Sequence, residues 1–323
     1  ATATATATAT NQSKNMTRLI IVPQYPTKLR YQEWWFDRFP EEFSQYFDEV
    51  IVLGGGALHT IEEIGNNFAP VEASIEFELF QIQVYNSMKL RKDDCLLLCD
   101  LSFPGLFANV LFHRRTDRCF AICHATSKNA YDYFAKDRKR KYPIEKASAK
   151  IFDCIFVATE YHKKKLGWEH IIVQPFPNPP CNKTVQAYMK IYPIVSVARD
   201  SIQKRTKHIE KEVEKAFNTT LFRPNIITWD DYFNFLFMSK VLLITSKEET
   251  YGYQVLDAVL NDCIPVAPNH LSYPELLPPE YLYNTLNELI SIIIKALQNK
   301  LPVPKLLVKP DHFYQNVSMY MKS

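Results

Sequence analysis

The feature that most constrains the fold is a series of ten short apolar runs, most of them separated by helical patterns. Such runs are typical of parallel strands that helices cover on both faces. Six runs precede a proline-rich segment, residues 174–182, and four follow it. Because proline disfavours regular structure, this segment predicts two α/β domains with doubly wound sheets. The predicted strands are 18–23, 49–53, 95–99, 119–123, 154–158, 170–173, 193–198, 225–228, 241–245 and 264–268.

The ends of the chain differ from these domains. Residues 1–10 alternate Ala and Thr and a polar segment follows, so 1–15 are predicted to be a tag or a disordered tail. The first domain is predicted at 16–180 and the second at 181–300, with 301–323 as a tail that can cross back to the first domain. No apolar run approaches the roughly 20 residues that span a bilayer. We therefore expect a soluble, cytoplasmic monomer with no membrane contact.

Cysteine usage agrees with a reducing compartment. Five of the seven cysteines fall in strand-like runs, four of them in two pairs spaced four residues apart and the fifth alone, with no CxxC spacing. A metal site is the alternative, but buried cysteines on strands are more often small apolar core residues. We expect reduced core thiols and no metal.

The strongest candidate site lies in one βαβ unit of the second domain. The strand 241–245 is followed by the loop SKEETYG, 246–252, and by a helix that begins near Tyr253. The unpaired N–H groups and positive dipole end of a helix N-terminus suit a phosphate. Gly252, one of only seven glycines, would let a ligand approach the backbone there. An ordinary turn with helix-capping acids is the alternative.

This stretch resembles the E-x7-E region of retaining GT-B glycosyltransferases of the family-4 type, whose pattern runs S-x-x-E-G-F-G-L-x-x-L-E-A. The resemblance implies two Rossmann-like domains facing a cleft, and transfer of a hexose or pentose from a nucleotide sugar without a metal. It implies that Glu249 contacts the donor sugar and that Asp257 holds the ribose. The diphosphate would lie against Gly252, Tyr253, Gln254 and Val255. The chain departs from the pattern at Thr250, where the family has glycine, and at Asp257, one methylene shorter than glutamate.

A second motif, SVARDSIQKRTK at 196–207, follows the first strand of the second domain. The family carries an arginine and a lysine here that clamp the donor phosphates. Arg199 and Lys204 stand in these places, and Arg205 is the alternative for the second. Paired cations would stabilise the charge that develops on the leaving phosphate.

Two polar residues follow strands of the first domain. Asp100 comes after the strand 95–99 and His124 after the strand 119–123. In the family, a histidine in this place commonly approaches the donor sugar, and a structural histidine is the alternative. Asp100 is a candidate acid or base on the acceptor side.

The acceptor is predicted from loops and charge. The glycine-rich loop usual in the family is replaced by residues 23–36, where Lys28 and Arg30 are candidate acceptor contacts, while Trp34 and Trp35 are interpreted as core. Basic residues concentrate at 136–141, 162–165 and 203–207. These are either solvated faces or a surface for a polyanion. The candidate acceptor-binding cations among them are Lys139, Arg140 and Lys141.

Residues 261–283 resemble queuosine-tRNA mannosyltransferases and phage glycosyltransferases that modify hydroxymethylated pyrimidines such as hydroxymethylcytosine. The leading hypothesis is sugar transfer to such a base in duplex DNA, in the host cytoplasm if a phage encodes the chain. The alternatives are queuosine in tRNA, a glycan or lipid acceptor, and a nucleic-acid-binding module without enzyme activity. An NAD-dependent oxidoreductase is disfavoured because no GxGxxG follows any predicted strand.

Overall fold

The structure is a computed structural model that describes residues 17–54, 71–101, 116–131, 135–180, 189–198, 201 and 203–323. Within these ranges ten strands form two parallel sheets. The strands are β1 (Arg18–Val22), β2 (Glu49–Val52), β3 (Cys95–Leu98), β4 (Arg118–Ile122), β5 (Cys154–Val157), β6 (Ile171–Val173), β7 (Tyr192–Val195), β8 (Ser239–Leu243), β9 (Ile264–Pro268) and β10 (Leu282–Tyr283). The helices are α1 (Tyr31–Phe43), α2 (Val71–Ser87), α3 (Arg138–Ala149), α4 (Glu160–Leu166), α5 (Lys207–Phe217), α6 (Trp229–Phe237), α7 (Tyr253–Leu260), α8 (Tyr273–Leu276), α9 (Leu286–Leu297) and α10 (Phe313–Lys322).

The first sheet has the strand order β2-β1-β3-β4-β5-β6, with every neighbouring pair parallel. In this order β2 lies on one side of β1, and the chain then crosses back so that β3 lies on the other side of β1. The order therefore reverses between β1 and β3, which is where open α/β sheets bind ligands at their carboxyl ends. A hydrogen bond of 2.8 Å from Gln24 Nε2 to Asp100 Oδ2 joins the two loops at this point.

The second sheet has the order β10-β9-β8-β7, also parallel. The predicted strand at 225–228 is wrong, whereas the other nine predicted strands are confirmed. Ile227 is 58% exposed, although a strand of a covered parallel sheet is buried on both faces. Thr228 instead exchanges hydrogen bonds with Asp231 in a capping box, which begins α6. The fourth strand of this sheet is β10.

The interior agrees with two interpretations made from the sequence. The six described cysteines are free and buried. Trp34 and Trp35 are only 5% and 3% exposed and lie in the core. None of the described helices has the length and apolar character needed to cross a bilayer.

The last helix, α10, returns to the first sheet. The backbone oxygen of Met321 accepts hydrogen bonds from Cys95 Sγ (3.2 Å) and Arg118 Nη1 (3.3 Å). At the other end of α10, the ring centroid of Phe313 lies 5.6 Å from that of Phe39 in α1. The end of the chain is thus held on the first domain.

Candidate active site

The loop between β8 and α7 lies at the carboxyl end of the second sheet and contacts the first domain. Its two adjacent carboxylates contact different domains. Glu248 accepts hydrogen bonds from Asn129 Nδ2 (3.0 Å) and Ala130 N (3.1 Å) of the first domain and pairs with Lys165. Glu249 pairs with Lys204 of its own domain, at 2.6 Å between Nζ and Oε2. The loop therefore joins the two domains at the predicted site.

The Lys204–Glu249 pair brings together two residues that the resemblance assigns to the donor. Their side chains are only 20% and 16% exposed, so the pair is largely shielded from water. Arg205, the alternative to Lys204, instead forms an ion pair of 2.6 Å with Glu210, whose side chain is 1% exposed. Lys204 is thus the cation that faces Glu249. Arg199 lies outside the described residues.

Gly252 immediately precedes α7 and has a φ of +108°, in the left-handed region that disfavours other residues. A Cβ at this position would lie 3.1 Å from Tyr273 Cε1 and 3.2 Å from Leu276 Cδ1. Its backbone conformation therefore favours glycine strongly, and its close packing disfavours a side chain as well. The first-turn amides of α7, which point out of the helix N-terminus, belong to Tyr253 and Gln254, both half-buried. The amide of buried Val255 donates a hydrogen bond of 2.9 Å to the Gly252 backbone oxygen.

Asp257 lies one turn inside α7 and is 5% exposed. Its Oδ2 accepts a hydrogen bond of 2.8 Å from the hydroxyl of Tyr232 in α6. Burial raises the pKa of Asp257 to about 7, and the Tyr232 hydrogen bond acts in the opposite direction. The acid that the resemblance assigns to the ribose therefore changes its charge near neutral pH.

His124 is buried between the domains. Its ring stacks on Tyr31 at 4.1 Å between centroids and lies 4.7 Å from the ring of Phe176. Burial lowers the pKa of His124 well below its usual range, so the imidazole is neutral. Its Nε2 has no hydrogen-bond partner among the described residues. The His124 backbone oxygen accepts a 2.6 Å hydrogen bond from Thr250 Oγ1, so the residue that replaces the family glycine binds the His124 loop.

Asp100 lies beside His124 at the switch point of the first sheet. It is 4% exposed, and the backbone of its neighbour Cys99 hydrogen-bonds the His124 ring. The hydrogen bond from Thr250 joins His124 to the loop that carries Glu249, and Asp100 accepts its hydrogen bond from Gln24 within the first domain.

The predicted acceptor loop is held by a contact between the domains. Glu33 Oε2 accepts hydrogen bonds from Leu29 N (2.6 Å) and from Trp229 Nε1 of α6 (2.8 Å). Lys28 is exposed in this loop, and Arg30 is half-buried just before α1. The contact fixes the loop beside the second domain.

The three cations predicted on α3 differ in exposure. Lys139 and Arg140 are exposed, and Arg140 pairs with Asp137 at 2.9 Å on the surface. Lys141 is half-buried near Glu78 of α2, where burial raises the pKa of Glu78 to about 7 and the Lys141 charge lowers it. Two of the three are thus accessible to a large partner.

Two facing Rossmann-like sheets with a strand-end loop of this kind define the GT-B class of fold, and solved structures agree. A sucrose-phosphate synthase from Thermosynechococcus elongatus matches with a TM-score of 0.61 at 11% identity, over 94% of this chain and 97% of that one. An E. coli trehalose-6-phosphate structure bound with UDP-2-fluoro glucose matches with a TM-score of 0.59 at 11% identity, over 95% of this chain and 99% of that one. The predicted GT-B fold is confirmed.

A curated protein is similar in sequence over part of the chain. A tRNA-queuosine alpha-mannosyltransferase from Drosophila melanogaster is 30% identical over 123 residues, which are 38% of this chain. The match spans only 31% of the fly protein's own length. No protein-family model matches the chain.

Proposed function

We propose that this protein is a glycosyltransferase that moves a sugar from a nucleotide-sugar donor to a nucleic-acid base with retention of configuration. The observation that carries the proposal is the Lys204–Glu249 contact. This contact supports the proposal because a cation that suits a diphosphate and a carboxylate that suits a sugar lie side by side at the carboxyl end of the second sheet. The similarity to a tRNA-queuosine mannosyltransferase supports the same chemistry.

In this proposal the donor's diphosphate lies between Lys204, Arg199 and the N-terminus of α7. The cations and amides neutralise the charge that grows on the leaving phosphate, so they stabilise the transition state more than the ground state. Glu249 contacts the sugar, Asp257 the ribose, and neutral His124 offers a hydrogen bond rather than a charge.

Calorimetry with UDP and GDP tests the donor site. We expect binding of at least one nucleoside diphosphate, with an affinity that EDTA does not change, because cations of the chain take the place of a metal. An affinity that disappears in EDTA would show that donor binding depends on a metal and would contradict the metal-free site.

For the acceptor, the comparison changes the order of the two nucleic-acid candidates. The sequence patterns favour a hydroxymethylated pyrimidine in duplex DNA, whose 5-substituent lies in the major groove. The similarity to the fly protein favours queuosine as the acceptor, and queuosine lies in a single-stranded anticodon loop. We therefore rank tRNA first and modified DNA second.

The surface formed by α3 and α4 of the first domain is the proposed contact for the acceptor's phosphates. Tyr142 of α3 donates a hydrogen bond of 3.1 Å to the backbone oxygen of Leu166 in α4. Lys128 lies over the Tyr142 ring at 5.3 Å. Exposed Lys139 stands one turn before Tyr142, and exposed Lys164 lies near the end of α4. The two basic runs therefore meet on one side of the domain.

A transfer assay tests this assignment. Purified protein is given several nucleotide sugars with queuosine-bearing tRNA, hydroxymethylcytosine-containing duplex DNA or an oligosaccharide. Lys139→Glu with Arg140→Glu should weaken nucleic-acid binding and reduce its salt dependence, because each lost phosphate contact changes the log–log slope by roughly 0.7–0.9.

The matched control reverses two exposed lysines of the second domain that lie outside the basic runs, Lys211→Glu with Lys215→Glu on α5, which changes the net charge equally. We expect this control to bind nucleic acid nearly as wild type does. Turnover on the oligosaccharide alone, with no effect of either charge reversal, would remove nucleic acid from the proposal.

A further inference from the structure

Tyr232 and Asp257 form a buried pair between two helices of the second domain. Tyr232 on α6 is 8% exposed and Asp257 on α7 is 5% exposed. The Tyr232 hydroxyl donates to Asp257 Oδ2 at 2.8 Å. Among the described residues, Tyr232 is the only group that donates a hydrogen bond to this carboxylate, so Oδ1 is left for a ligand.

Among the residues that the structure describes, no positively charged neighbour shifts the pKa of Asp257. Tyr251 in the loop before α7 is buried, and burial together with the Asp257 charge raises its pKa well above the usual range. Cys263, just before β9, is also buried with a raised pKa. Both groups are therefore neutral at physiological pH. The Tyr232 hydroxyl is then the group that favours the ionised form of Asp257.

The aspartate itself makes such a partner necessary. Its side chain is shorter by one carbon–carbon bond, about 1.5 Å, than the glutamate of the pattern it resembles. A short, buried carboxylate with no hydrogen bond would be poorly ionised and could take several orientations. A hydroxyl that donates a hydrogen bond to one carboxylate oxygen favours the ionised form and fixes its orientation.

We infer that Tyr232 is a positioning residue for Asp257, holding one carboxylate oxygen so that the other can accept hydrogen bonds from the ribose of the donor. This inference rests on the proposed function, in which Asp257 contacts that ribose. Tyr232 acts through Asp257 and does not itself touch the donor. Its effect is therefore on donor affinity rather than on the rate of the chemical step.

The test compares Tyr232→Phe with a matched control, Tyr283→Phe. The Tyr283 hydroxyl is also buried in the second domain and donates to the backbone oxygen of Ile244 at 2.9 Å, without contacting Asp257. Both variants are made in wild type and in an Asp257→Ala background, which leaves no side-chain oxygen for the Tyr232 hydroxyl. Calorimetry with UDP and GDP from pH 6 to 9 gives the affinity, and transfer kinetics separate KM from kcat.

We expect Tyr232→Phe to weaken binding of the nucleoside diphosphate about tenfold at pH 7, to raise the donor KM and to leave kcat nearly unchanged. Carbon-13 NMR of labelled aspartate should show a higher Asp257 pKa in this variant than in wild type. Tyr283→Phe should change neither value. In the Asp257→Ala background, Tyr232→Phe should cause no further loss.

Three results would overturn the inference while leaving the proposed function intact. They are unchanged affinity in Tyr232→Phe, an unchanged Asp257 pKa, or an equal loss of affinity in the Asp257→Ala background. If wild type binds no nucleoside diphosphate, the proposed function is wrong and this inference is wrong with it.

Discussion

Replacing Glu248 by alanine should loosen the contact between the two domains. Glu248 receives hydrogen bonds from Asn129 Nδ2 and Ala130 N and pairs with Lys165, all from the first domain. The Glu248 and Lys165 side chains are 12% and 19% exposed. Removing one partner of a buried ion pair costs roughly 3–5 kcal/mol. Because this pair keeps some contact with water, we expect a loss of about 3 kcal/mol in the free energy of unfolding.

Urea unfolding followed by tryptophan fluorescence and by circular dichroism measures this loss. The control is Asp137→Ala, which breaks an ion pair with Arg140 whose side chains are 56% and 86% exposed. Exposed pairs contribute about 0–1 kcal/mol, so this variant should remain close to wild type.

A double-mutant cycle with Lys165→Met separates the ion pair from the two other hydrogen bonds. We expect a coupling energy on the order of 1–3 kcal/mol between Glu248 and Lys165. A Glu248→Ala variant that is no less stable than Asp137→Ala, with zero coupling in the cycle, would refute the assignment of Glu248 as an interdomain contact.

Three further outcomes follow from the site. Because burial in the folded protein raises the pKa of Asp257 from 3.8 to about 7, its contribution to stability is present below about pH 4 and is lost as the pH rises to about 7. Asp257→Asn should therefore flatten the decline in unfolding free energy over this range, by up to roughly 4 kcal/mol in urea titrations. Glu249→Ala and Lys204→Ala should each lower the rate of sugar transfer by about a hundredfold or more, with unchanged circular dichroism. Thr250→Val should destabilise the protein by about 1 kcal/mol in the same titrations, because it removes the hydrogen bond to His124.

Much of the fold could be predicted because strands of a covered parallel sheet are continuous apolar runs. The run at 225–228 shows that an apolar run alone can give a wrong strand prediction. It has the composition of a strand, but Thr228 and Asp231 form a capping box that begins a helix at the next residue. The two-residue strand β10 is too short to give a pattern of its own.

The candidate site was predictable where one segment carries the residues, as around Glu249 and Gly252. The contacts that complete the site join residues far apart in the sequence, and no local sequence pattern predicts them. Thr250 binds the His124 backbone 126 residues away, and Tyr232 reaches Asp257 across 25 residues. The pairing of Arg205 with Glu210 likewise became visible only in the fold, and it leaves Lys204 as the cation facing the site.

Mass spectrometry of nucleic acid tests the central claim most directly. DNA and tRNA are purified from cells that express wild type or Glu249→Ala, in a host that supplies queuosine-bearing tRNA and hydroxymethylated DNA. The account predicts a nucleoside whose mass is increased by one sugar residue in wild-type cells, first of all in tRNA, and its absence with the variant. Wild-type nucleic acid with no sugar-bearing nucleoside, while the purified protein glycosylates an oligosaccharide, would contradict a nucleic-acid acceptor.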